Sequence, residues 1–219
     1  MSRYVELSHV IDNGMPVYPG LPAPRIDAYL DHEQSRSHYQ GKAEFYIGRI
    51  TTVTSIGTYL DIPFHRYIHG EDLSQVPLES VAGLPGIALD AVVARDRSIA
   101  IESADCELRG HAVLVRTGWD ENWTSGRYFT DVPYLAPETV NALLEAGARL
   151  VGVDFANVDD MRDPSRPAHT RLLGSRILIV ENLCNLKALP RTGFRFYAVP
   201  PRVVKGASFP VRAFAELIK

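Results

Sequence analysis

Four short apolar runs constrain what this 219-residue chain can fold into. Ile87 to Ala94 (IALDAVVA), Ala112 to Arg116 (AVLVR), Leu150 to Asp154 (LVGVD) and Ile177 to Glu181 (ILIVE) are β-rich and read as buried strands. Between the second and third runs the sequence predicts a helix. Pro137 suits a first helical position, Glu138 favours the positive N-terminal dipole, and Gly147 can close the C-terminus. Val140, Leu143 and Leu144 supply its apolar face. A strand, a helix of about three turns and a returning strand make a crossover unit. The expectation is an α/β domain with a mixed sheet at its centre. Asp154 and Glu181 then fall at the C-terminal ends of strands, where α/β sheets usually place binding chemistry.

Length and composition exclude several function classes. One domain over residues 1–219 is expected, since Pro and Gly are scattered as punctuation and no linker or repeat interrupts the chain. Hydrophobic residues at 46% and charged residues at 22% are globular proportions, and a formal charge of -3 with no basic stripe argues against a nucleic-acid partner. No run approaches the roughly 20 apolar residues of a membrane span, and the N-terminus lacks the apolar core of a signal peptide. A cytoplasmic location is therefore expected. Cys106 and Cys184 form no CxxC unit and read as buried reduced thiols.

Chemistry concentrates in three patches: Ser55 to His65 (SIGTYLDIPFH), Val151 to Asp160 (VGVDFANVDD), and the stretch from His169 to Glu181 that opens ENLCNL. Tyr59 and Asp61 are two apart, so on an extended segment their side chains share a face. Gly57 and Pro63 suit a stiff loop presenting Asp61 and His65. His65 is a natural general acid/base because an imidazole titrates near neutral pH. Asp154 either orients a ligand or caps the next turn. His9, His32, His38, His69 and His111 have no mutual spacing that implies a site, and each reads as a surface or satisfied core histidine.

SIGTYLDIPFH resembles HxGTHxDxPxH, the signature of the cyclase/arylformamidase-like family of metal-dependent hydrolases. Gly57, Thr58, Asp61, Pro63 and His65 match it, whereas Ser55 and Tyr59 stand where that family has two metal-binding histidines. ENLCNL, LSHVIDNGMPVYPG, RTGW and SFPVRAFA are also similar to family segments, so the likeness spans nearly the whole chain. Val151 to Asp160 resembles a GxDxxSxD string with Asn157 at the Ser position.

The resemblance implies a swivelling β/β/α fold. It also implies a homodimer or larger homo-oligomer in which an N-terminal segment reaches a neighbour, and hydrolysis of amide-like bonds such as those of N-formylkynurenine and isatin. By resemblance Asp61, His169 and Glu181 are the ligands of one divalent ion, and such a set suits zinc or manganese. A Ser hydroxyl is a poor zinc ligand, and a phenol would have to lose its proton to bind well. Tyr59 either polarises a substrate carbonyl, as oxyanion-hole donors do, or fills the vacated space. Ser55, Thr58 and Trp119 are expected to contact a small-molecule substrate. Three readings stand: a hydrolase using one ion with His65 as proton shuttle, a metal-free cyclase, dehydratase or isomerase using Tyr59 and His65, and a non-catalytic binding protein.

Overall fold

The computed structural model describes residues 3–101 and 108–218. In chain order its strands are β1 (Tyr4–Glu6), β2 (Arg25–Leu30), β3 (Ile47–Thr51), β4 (Tyr59–Asp61), β5 (Leu84–Val93), β6 (Ser98–Ile101), β7 (Ala112–Arg116), β8 (Tyr134–Leu135), β9 (Leu150–Val153), β10 (Leu178–Glu181), β11 (Phe194–Tyr197), β12 (Ser208–Pro210) and β13 (Phe214–Leu217). The helices are α1 (His32–His38), α2 (Pro63–Arg66), α3 (Pro137–Ala146) and α4 (Pro167–Gly174). Cys106 lies outside the described residues.

The main sheet runs β1-β13-β11-β5-β7-β9-β10-β4-β12, with β6 paired to β5 and β8 paired to β6. Its centre, β5-β7-β9-β10, is parallel, and antiparallel strands flank it. This is the mixed α/β architecture expected, and its central strands are the four apolar runs. Parallel strands are covered on both faces, which is why those runs are apolar at nearly every position. Alternation then sorts the side chains. Val113, Val115, Val151, Val153 and Ile179 enter one core with α3 and α4. Ala112, Leu114, Leu150, Leu178 and Val180 enter a second core on the opposite face.

The crossover from β7 to β9 passes through α3, which begins at Pro137 and ends where Gly147 takes a left-handed φ of 70°. β4 was not legible as a strand. It is three residues long and gains order from its neighbours, pairing antiparallel with β10 on one side and β12 on the other. β2 and β3 form a separate two-stranded ribbon on which Tyr29, Ile47 and Ile50 are exposed. Among the described residues no helix is long and apolar enough to cross a membrane.

Candidate active site

Register builds the floor of the site. Tyr59 on β4 lies directly opposite Glu181 on β10, and Asp61 lies opposite Ile179. Paired residues project to the same face, so Tyr59, Asp61 and Glu181 all point toward the helical side. There the Tyr59 hydroxyl donates to Glu181 Oε2, while the Val158 amide donates to Glu181 Oε1 at 2.8 Å. His65 follows in α2, whose first residue is Pro63. The stiff loop expected to carry Asp61 and His65 is thus a strand end and one helical turn. Gly57, at φ 59°, supplies the left-handed turn before them.

His169 reaches the same place from α4. Asp159 accepts the amides of Ala168 and His169 at 2.6 and 3.1 Å, and Nδ1–H of the His169 ring donates to it at 2.6 Å. That bond leaves Nε2 facing Asp61 Oδ2 at 3.7 Å and Glu181 Oε1 at 3.6 Å. His65 Nδ1 lies 3.7 Å from Asp61 Oδ1. These separations are too long for hydrogen bonds. Ligand atoms around one divalent ion with bonds of about 2.0–2.2 Å stand roughly 3.3–3.6 Å apart in a tetrahedral shell.

Asp61 is fully buried, yet neither of its carboxylate oxygens has a hydrogen-bond partner. Buried carboxylates are normally paired, hydrogen-bonded or bound to a metal. Asp61, His65 and His169 each bring one ligand atom within 4.8 Å of the other two. The residues fit a divalent cation.

Without an ion the same carboxylates favour a proton on His169 Nε2, which a bound cation would have to displace. Burial opposes a charged His169, but its bond to Asp159 and the nearby Asp61 and Glu181 outweigh that and raise its pKa to about 10. Burial pushes the Glu181 carboxyl up, and Asp61 adds to the effect. Burial, reinforced by Glu181 and Asp61, also holds the Tyr59 phenol well above its ordinary value, so it stays protonated and donates. Its proton is committed to Glu181 rather than held out toward a substrate carbonyl.

A cavity of about 350 Å³ opens over this floor, and its lining includes Ser55, Tyr59, His65, His169 and Glu181. Ser55 is held by the hydroxyl of Ser208 at 2.8 Å. Thr58 and Trp119 are not part of the lining. The Thr58 hydroxyl donates to the Asn182 carbonyl and accepts the His9 amide, and the Trp119 indole donates to the Tyr128 carbonyl at 3.0 Å. Asp154 accepts both the amide and the hydroxyl of Thr117 and the Gly118 amide, the structural role of the two considered.

Asp159, Arg66 and Arg166 escaped the sequence reading as site residues. Asp159 carried a signal, since it sits in the VGVDFANVDD patch, but its partner lies across a turn that only the fold closes. His9 also differs from expectation. Its Nε2 is buried without a hydrogen-bond partner, and its ring stacks on Trp123 with centroids 3.8 Å apart.

Comparison with known proteins places this arrangement. Residues 5–160 match the family model described as "Putative cyclase", and the chain belongs to the cyclase family. A kynurenine formamidase from Salinibacter ruber is 27% identical over 217 residues, covering 95% of each chain. Isatin hydrolase A from Labrenzia aggregata superposes with a TM-score of 0.81 at 23% identity, over 99% of this chain and 94% of its own. A potential metal-dependent hydrolase with cyclase activity does so with a TM-score of 0.78 at 22% identity, over 97% and 96%. The fold is therefore cyclase-like.

Proposed function

We propose that the protein is a metal-dependent hydrolase that cleaves a carbon–nitrogen bond of amide, formamide or lactam type in a small molecule. The buried carboxylate of Asp61, with no protein partner and two imidazoles facing it, carries this reading. Asp61, His65 and His169 would hold one zinc or manganese ion. When bound, such an ion polarises a carbonyl and brings the pKa of water toward about 7.

Compared with the ligand set implied by resemblance, His65 takes the place of Glu181. Both Glu181 oxygens already accept hydrogen bonds, from Tyr59 and Val158. Glu181 Oε1 keeps a lone pair beside His169 and is the atom placed to take up a proton. Tyr59 fixes the carboxylate that does so. Asp159 orients His169 so that Nε2, not Nδ1, faces the cavity floor, the usual service of a carboxylate behind a metal-binding histidine. The molecule works as a homo-oligomer, supported by the exposed apolar residues of the β2–β3 ribbon.

Elemental emission on protein purified without chelator is expected to find about one zinc or manganese per chain. Asp61→Asn removes the ion and lowers hydrolysis of N-formylkynurenine or isatin by more than about a hundredfold, beyond the effect usual for residues behind a ligand. Protein that holds no stoichiometric ion, or hydrolysis that survives Asp61→Asn, would sink the proposal.

A further inference from the structure

Two cations line the outer wall of the cavity, Arg66 beside α2's end and Arg166 at the start of α4. Neither pairs with a carboxylate among the described residues. Arg66 Nε donates to the Thr170 hydroxyl at 2.9 Å. Arg166 Nη1 donates to the Asp160 carbonyl at 3.1 Å, and Nη2 lies 3.4 Å from the Tyr18 hydroxyl. All three acceptors are neutral. The nearby Asp160 carboxylate is occupied by Arg162 and Arg97, and Asp163 acts on Arg166 through space without forming an ion pair with it.

Both guanidinium groups hang on one edge of one helix. Arg166 is the residue before α4, and Thr170, which anchors Arg66, lies one turn further on. Arg166 also holds a left-handed backbone, φ 49° and ψ 59°, that disfavours any residue with a β-carbon. Strain of this kind persists where surrounding structure enforces it, commonly at ligand sites. Next to the two cations, Tyr18 and Leu21 give the same wall an aromatic and an aliphatic surface. A guanidinium is a planar fork matched to a carboxylate. A neutral ligand filling this wall would strip water from two guanidinium groups that have no ion pair and would supply no charge in exchange.

We propose that the substrate carries a carboxylate, held by Arg66 and Arg166, with Tyr18 and Leu21 against the ring or chain that bears it. The proposal rests on the hydrolase reading only for the word substrate, and it is tested by binding rather than turnover. Benzoate and benzamide share shape and differ in charge. Calorimetric titration into metal-stripped full-length protein, where a carboxylate has no ion to bind, is expected to show benzoate at least about tenfold tighter than benzamide.

The double variant R66Q/R166Q brings the two affinities within about twofold, whereas R66Q/R166K keeps part of the preference because it keeps one charge. R66Q alone, at an exposed position, shows a partial loss and guards against misfolding of the double variant. Equal affinities in the wild type, no measurable binding of either compound, or a preference that survives R66Q/R166Q would each overturn the proposal. Hydrolysis assays are read separately, so loss of turnover with the benzoate preference intact counts against the enzyme reading alone.

Discussion

Asp61 and His169 show how one side chain's surroundings specify chemistry that its identity does not. An aspartate two residues after Tyr59 is unremarkable until the fold buries it, keeps every donor beyond hydrogen-bond reach of its oxygens and sets His169 Nε2 opposite. A histidine left to itself has two ring nitrogens to offer, and Asp159 chooses between them. Asp61 and His65 were legible from the motif, whose types and spacing are themselves chemical, and His169 from the family resemblance of its own patch. Asp159 and Arg166 were not legible as site residues, since their meaning comes from what stands beside them after folding.

His9 makes a measurable difference at this scale. Burial lowers its pKa from 6.5 to about 4. Between those values the unfolded chain binds a proton that the folded chain refuses, so this residue's contribution to stability is whole above about pH 6.5 and shrinks as pH falls toward 4. Asp154 acts in the opposite sense, because burial raises its pKa from 3.8 to about 6 and protonation then favours the fold. Comparing His9→Phe with wild type cancels the Asp154 effect and keeps the stack on Trp123. The urea midpoint at pH 5 minus that at pH 7.5 is expected to be more positive in His9→Phe than in wild type, because the variant lacks the loss that His9 brings on acidification. Equal differences would remove His9 from the pH dependence.

Among the elements, β9 is tightly constrained. Its Gly152 sits between two neighbours, and a β-carbon there would lie 2.6 Å from both Leu114 Cδ2 and Leu183 Cδ1. Leu114 belongs to β7, packed in parallel beside β9, so neither strand can move without disturbing the other. Gly152→Ala is therefore expected to destabilise by about 1–3 kcal/mol, the usual cost of overpacking, read as a lower denaturant midpoint at unchanged slope. An unchanged midpoint would show that the leucines yield freely.

The four central strands and α3 were legible because burial on both faces, or on one helical stripe, leaves a strong apolar pattern. β4 was not, because three residues carry no period and its order comes from β10 and β12. β2 and β3 were missed for a different reason. Every residue of β3 is exposed, so no alternation marks it.

That exposed ribbon bears on the whole molecule. Tyr29 is 69% exposed, Ile50 65%, Tyr46 52%, Phe45 51% and Ile47 48%, all within one arm whose two strands pair with each other and not with the main sheet. A two-stranded ribbon alone is marginally stable in water, and a set of large apolar side chains on it is what an interface between subunits uses. The second copy of this chain is the occupant consistent with the resemblance, which implies homo-oligomers with an N-terminal segment reaching a neighbour. Light scattering behind a sizing column is expected to give at least twice the 24.3 kDa chain mass. Ile50→Asp together with Phe45→Ser would shift the mass toward the monomer by placing a charge and removing a ring within the buried face. A wild-type monomer, or a double variant with unchanged mass, would leave the arm without that role. The separation of the arm from the proposed site makes the outcome interpretable: Asp61, His65 and His169 all lie outside the arm, so a monomeric variant is expected to keep whatever metal content the wild type shows.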